Sequence, residues 1–258
     1  MSNAVPAIPF LQNRVAIVTG GASGIGLGVS QRLARMGYPV AILDKQRDVL
    51  HAAVEELVAG GLNVVGETVD VADRVAVNAA IRSVRTRLGN ISIIVTSAGI
   101  DANKPFEEIS LDEWEHVLKV NLTGTFNCIQ PVVADMVAAG WGRIITISSS
   151  SAQSGAGDRA HYIASKGGVI ALTKALSYEY APKGITVNTI PPSIIETPML
   201  AKATEEGRFP GAKVVAAITP VRRVGTADDV AAACAFLCSD DASFITGQQI
   251  GVNGGLYM

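Results

Sequence analysis

Tyr162 and Lys166 bracket the segment Tyr162-Ile-Ala-Ser-Lys166, and at i and i+4 their side chains share a face if the segment is helical. A free phenol ionises near pH ~10 and is a poor base at neutrality. A neighbouring cation favours the phenolate, which can then take a proton from an alcohol and return it in the reverse direction. Ser149 precedes the pair in the run Ser148-Ser149-Ser150-Ser151, where a hydroxyl can orient a substrate oxygen and stabilise its developing charge. Each piece alone is ordinary, because such a pair often decorates a surface and a serine run often makes a loop. Their weight depends on what positions them.

The run Val15-Ala-Ile-Val-Thr19 reads as a strand and leads into Gly20-Gly21-Ala22-Ser23-Gly24-Ile25-Gly26, after which a helical pattern begins. Glycines there permit a sharp turn and let a pyrophosphate approach the N–H groups at a helix start. A tight strand-to-helix turn would look similar, but the strand–turn–helix context is the one a dinucleotide site requires. The next apolar run ends at Asp44, where a carboxylate can accept from the ribose hydroxyls and repel a 2′-phosphate. NAD(H) is therefore expected over NADP(H). Lys45 and Arg47 either soften that preference or sit at a solvated helix start. Asp70-Val71 and Thr96-Ser97-Ala98-Gly99 follow two further strand patterns, at the edge where ligands bind. Ordinary turn chemistry would use the same residue types.

Apolar β-branched runs at 14–19, 39–44, 63–69, 91–96, 143–148, 185–190 and 248–252 alternate with helical patterns at 24–36, 47–60, 73–88, 111–139, 160–181 and 226–237. The alternation predicts an α/β protein with a doubly wound, seven-stranded parallel (Rossmann) sheet flanked by helices. No linker divides residues 1–258, so a single domain is expected. The net charge of −2 supplies no basic excess for nucleic acid. No apolar run approaches the ~18 residues of a membrane span, and residues 1–11 lack a secretory pattern. Cys128, Cys234 and Cys238 form a sparse, odd set that suits a reducing, cytoplasmic setting. Cys234 and Cys238 share a helical face but read as core residues, since nothing nearby completes a metal site. No metal is expected.

In order and spacing, Thr19-Gly20-x3-Gly24-x-Gly26, Asp44, Asp70, Ala98-Gly99, Asn121, Ser149, Tyr162-x3-Lys166 and Val187-Asn188 resemble the short-chain dehydrogenase/reductase family over nearly the whole chain. The resemblance implies Tyr162 as acid/base and Ser149 as the substrate-oxygen partner. It implies that Lys166 binds the nicotinamide ribose and lowers the tyrosine pKa, and that Asn121 holds a water of a proton relay. An amide within a helical pattern otherwise reads as a satisfied polar core residue. Ser23, Ile25, Val71, Pro192, Ile195 and Thr197 complete the implied cofactor contacts. Three departures stand out: Thr96-Ser97 for the family's usual two asparagines, Pro191-Pro192-Ser193 for a usual Pro-Gly, and Asn253-Gly254-Gly255 for a usual Asp-Gly-Gly. None removes a reacting group. His161 adjoins Tyr162 but points elsewhere on a helix, and Asp158 and Arg159 either line the pocket or are solvated.

The stretch 191–224, between the sixth and seventh strand patterns, is a candidate substrate lid. It offers Ile194, Ile195, Met199, Leu200 and Phe209, which suits a moderately apolar substrate: a 3-hydroxyacyl/3-oxoacyl thioester, or an aryl or alicyclic ketone. Lys202, Arg208 and Lys213 either meet the phosphates of a thioester carrier or are solvated. The expected activity is hydride transfer between NAD(H) and a secondary alcohol or ketone; the alternative is a dinucleotide sensor that keeps the fold without the chemistry. The resemblance also implies a homotetramer.

Overall fold

The computed structural model describes residues 13–208 and 211–257. The lid residue Phe209 and residues 1–11 lie outside them. Six strands form one parallel sheet: β1 (Val15–Thr19), β2 (Val40–Asp44), β3 (Val64–Thr68), β4 (Ile91–Thr96), β5 (Gly142–Ile147) and β6 (Ile185–Ile190), in the order β3-β2-β1-β4-β5-β6. The helices that connect them are α1 (Gly24–Arg35), α2 (Arg47–Ala59), α3 (Arg74–Leu88), α4 (Leu111–Leu118), α5 (Gly124–Ile129), α6 (Val133–Ala139), α7 (Ser151–Ser154) and α8 (Ala160–Tyr180). After β6 come α9 (Pro198–Glu205), α10 (Ala212–Ile218) and α11 (Ala227–Cys238).

The near-continuous apolar strands are explained by cover on both faces. Ala16 and Val18 of β1 join the core under α1 and α11, while Val15 and Ile17 join the core under α3 and α6. Cys234 and Cys238 lie fully buried in the first core, and Cys128 in the second. β1 pairs with both β2 and β4, so the strand order reverses there and a crevice opens beyond the carboxyl ends.

Two expectations need correction. The seventh strand at 248–252 does not extend into a ladder; it makes isolated parallel bridges, Thr189 to Gln249 and Pro192 to Val252. Pro191 and Pro192 remove the donors that β6 would need to continue, and Gly247 turns the returning chain at φ +72°. The single helical pattern at 111–139 is instead α4, a π-helical turn over Lys119–Thr123, α5 and, past Pro131, α6. Within 191–224 the chain folds into α9 and α10, tied back by a bridge between Ile195 and Gly225. Among the described residues no helix is long and apolar enough to cross a membrane.

Candidate active site

A cavity of about 550 Å³ follows the crevice from Asp44 and Asp70 at one end to Ser149, Tyr162 and Lys166 at the other. Its phosphate-sized section is the start of α1. Ser23 occupies the N-cap without a side-chain capping bond, and the first turn holds no acid. The helix therefore presents N–H groups and the positive end of its dipole to the cavity. Gly24 has φ +52°, and a Cβ there would stand 3.2 Å from Thr197 Cγ2 on the facing wall. At Gly26 a Cβ would fall 2.1 Å from the Gly20 carbonyl oxygen, so only glycine lets the helix start so close beneath the turn. Ile25, Pro192, Ile195 and Thr197 line the same section. These features fit a dinucleotide.

At the adenosine end Asp44 is buried, and its carboxylate accepts from Ala22 N at 3.2 Å and Gln46 N at 3.0 Å. A carboxylate has about four acceptor positions, so capacity remains for ribose hydroxyls. Asp70 accepts from Ala72 N at 2.9 Å and, with Val71, forms the adjoining wall. Ala98 N donates to Thr19 Oγ1 at 3.1 Å, which binds the end of β4 to the end of β1. Thr96 Oγ1, where the family usually has asparagine, is buried without a partner.

The reactive end draws on three elements. Ser149 follows β5, and its hydroxyl accepts from Ser151 N at 3.2 Å. Tyr162 and Lys166 lie one turn apart near the start of α8, both buried. Lys166 Nζ donates to the Ile147 carbonyl at 2.9 Å and stands 6.0 Å from the Tyr162 ring centroid. Burial pushes the ammonium down to about 8. Burial likewise pushes the Tyr162 phenol up, opposed by the charge of Arg159 and a hydrogen bond with Ser149. The lowering expected from Lys166 thus does not prevail in the protein alone. The guanidinium of Arg159 lies 4.3 Å over the same ring.

Asn121 sits in the π-helical turn, a feature common at functional sites because it frees backbone groups. Its Oδ1 accepts from Ile100 N at 2.8 Å, and its Nδ2 donates to the Ile100 carbonyl at 3.1 Å and to Ser165 Oγ at 3.0 Å. The side chain therefore braces the 98–101 loop against α8. A Cβ on Gly99 would approach Asn121 Oδ1 to 3.2 Å and Lys166 Nζ to 3.3 Å, so any larger residue there would press on both side chains.

Ser149, Tyr162, Lys166 and the expected cofactor contacts line one crevice; Asn121 does not line it, being fully buried behind the 98–101 loop with its amide bonded to Ile100 and Ser165. Sequence reasoning missed Leu256 and Tyr257, which close the cavity from the C-terminal segment; the Tyr257 hydroxyl donates to the Gln153 carbonyl at 3.3 Å. It also left open the role of Arg159, whose ion-pair partner is Asp101. Arg208 is no free cation: it pairs with Asp101 at 3.0 Å and with Glu206. His161 is buried, and burial pushes its imidazole pKa down, as suits a neutral neighbour.

A family model described as enoyl-(acyl carrier protein) reductase, within the short-chain dehydrogenase/reductase family, matches residues 20–257. The chain belongs to the short-chain dehydrogenase/reductase family. The 3-oxoacyl-[acyl-carrier-protein] reductase FabG of Aquifex aeolicus is 37% identical over 96% of this chain and 98% of its own. The (2S)-[(R)-hydroxy(phenyl)methyl]succinyl-CoA dehydrogenase subunit BbsD of Thauera aromatica is 36% identical over 95% and 97%. Among solved structures, an actinorhodin polyketide ketoreductase variant with NADPH superposes with a TM-score of 0.91 at 34% identity, covering 95% of this chain and 98% of that one. As a short-chain dehydrogenase/reductase the protein is an oxidoreductase that binds a nicotinamide dinucleotide.

Proposed function

We propose that this short-chain dehydrogenase/reductase moves a hydride between NAD(H) and the 3-hydroxy or 3-oxo group of an acyl thioester. The observation that carries the reading is the single crevice that joins an uncapped helix start to Tyr162 and Ser149. A nicotinamide dinucleotide held along the α1 start and Asp44 would supply hydride exchange with the carbinol carbon. The chain's own residues do the rest. The Ser149 hydroxyl donates to the substrate oxygen and supports charge that builds on it. The Tyr162 oxygen takes the alcohol proton during oxidation and returns it during reduction. The Lys166 ammonium, 6.0 Å from the ring centroid, adds positive charge near the phenol and would hold the nicotinamide ribose.

The thioester reading is supported by the names of the relatives, FabG and BbsD, which act on acyl-carrier and CoA compounds. The apolar wall of Ile194, Met199 and Leu200 is consistent with an acyl chain. NAD(H) preference is supported by the buried Asp44 at the ribose end, although the ketoreductase neighbour is described with NADPH. The segment 191–224 is proposed as the lid over this substrate.

The test is initial rates on 3-hydroxyacyl thioesters, aryl carbinols and alicyclic alcohols, each with NAD⁺ and with NADP⁺ at matched concentration. The expected result is fastest turnover on a thioester with NAD⁺. Preference for a simple carbinol would overturn the substrate class, and a clear advantage for NADP⁺ would overturn the cofactor assignment.

A further inference from the structure

Arg159 precedes α8 as its N-cap residue, three positions before Tyr162, and belongs to none of the motifs that carry the family resemblance. Its placement is built rather than incidental. Asp158 holds φ +56°, a left-handed turn conformation that aspartate adopts more readily than most non-glycine residues. Its carbonyl is fixed by Lys104 N at 2.6 Å. That turn sends the Arg159 side chain back over the Tyr162 ring, with the guanidinium carbon 4.3 Å from the centroid. Asp101 clamps it there through Arg159 Nη2, and Asp101 is itself held by Arg208 at 3.0 Å. The Arg159 Nε is buried and unpartnered, so the ion pair does not use up the guanidinium.

We propose that Arg159 is a positioning residue for the proton transfer, a second fixed cation that keeps the Tyr162 oxygen ready to take a proton. The inference rests on the reading of Tyr162 as the acid/base. Arg159 neither gains nor loses a proton, since a guanidinium stays protonated at every working pH; it acts by its charge and, more weakly, by hydrogen bonding toward the phenol. Lys166 Nζ stands 6.0 Å from the ring centroid and donates to the Ile147 carbonyl.

The charged and titratable groups around Tyr162 define how the effect is balanced. From α8 and its approach come Asp158, Arg159, His161 and Lys166. From the loop after β4 come Asp101 and Lys104, and from α4 comes Glu113, which pairs with Lys104 at 2.8 Å. From the segment before α10 come Arg208 and Glu206, acting through Asp101. Tyr257 closes the C-terminal side. Arg159 is the cation nearest the ring, and Asp101 is its counter-charge.

The charges of Arg159 and Asp101 must therefore move the phenol in opposite directions. Alcohol oxidation needs the phenolate, so its rate rises as pH passes through the phenol pKa. Arg159→Gln removes the cation and should move that midpoint up by about 1 unit, which is roughly a tenfold slower rate on the rising limb. Arg159→Lys should restore part of the shift. Asp101→Asn keeps an acceptor for the guanidinium but removes the negative charge, and should move the midpoint down. The same shifts should appear in an NMR titration of the NAD⁺-loaded protein with ring-labelled tyrosine, the Tyr162 signal being assigned by its loss in Tyr162→Phe. A purely structural role for Arg159 would leave both midpoints in place or move them in the same direction, and either result overturns the proposal. If the NMR shifts appear but Tyr162→Phe still turns over, the acid/base reading of Tyr162 fails, and Arg159 then serves no proton transfer.

Discussion

Lys166 carries its charge where water is largely excluded, and this has a measurable consequence. Its ordinary value of 10.5 is pushed down to about 8 by burial, so between those two values the unfolded chain binds more protons than the native one. Stability therefore rises with pH across that window, and at neutral pH the buried ammonium is a net cost. Lys166→Met should remove that dependence and raise neutral-pH stability by on the order of 1–3 kcal/mol, less whatever is lost with the bond to the Ile147 carbonyl. Denaturant titrations of both proteins at pH 7 and pH 10 check it; an identical pH slope in the two would contradict it. Asp44 makes a second residue-scale prediction. Asp44→Ala should lower turnover with NAD⁺ by roughly tenfold, the equivalent of one hydrogen bond, and improve relative use of NADP⁺, as read by paired initial rates. That Tyr162, Lys166, Ser149 and Asp44 would share one crevice was legible in the sequence, because their spacing could be read together with the strand–turn–helix order that positions them. Arg159 was not, because its role depends on a left-handed turn at Asp158 and on Asp101 arriving from another loop.

The π-helical turn at Lys119–Thr123 shows how an element can serve a site without touching substrate. Asn121 satisfies both backbone groups of Ile100 and the Ser165 hydroxyl. Asn121→Ala would leave the Ile100 N–H and carbonyl without their partner, at about 1–3 kcal/mol per group, while the Ser165 hydroxyl keeps its bond to the Tyr162 carbonyl at 2.7 Å. The denaturant midpoint should fall with an unchanged slope; a midpoint within error of wild type would contradict the bracing role. Hydrophobic periodicity revealed most of these elements because both sheet faces are covered, so each strand reads as a continuous apolar run. It did not reveal the break of 111–139 into shorter helices, since π-helical and α-helical turns bury nearly the same positions. It also overextended the sheet at 248–252, where the apolar pattern was right but Pro191 and Pro192 withhold the donors of a ladder.

At the scale of the whole molecule, the reversal of strand order between β2-β1 and β4-β5 gathers side chains from distant parts of the chain into one crevice. The fold class was legible from the alternation of strands and helices. The closure of the crevice by Leu256 and Tyr257 was not, because nothing local in Gly-Leu-Tyr marks a wall. Phe106 and Leu111 remain largely exposed on α4 and its approach, and Phe126 partly so on α5. By family resemblance we expect a homotetramer, to be read by light scattering at micromolar concentration; a monomer there would contradict it.

We propose that Tyr162 moves the proton while a bound NAD⁺ takes the hydride. The most direct measurement is NADH formation from a 3-hydroxyacyl thioester by the wild-type protein and by Tyr162→Phe, with NADH binding measured in both. The account predicts that turnover falls by at least about 100-fold, the usual weight of a positioned acid/base, while NADH binding is retained. Equal turnover in the two proteins would contradict it.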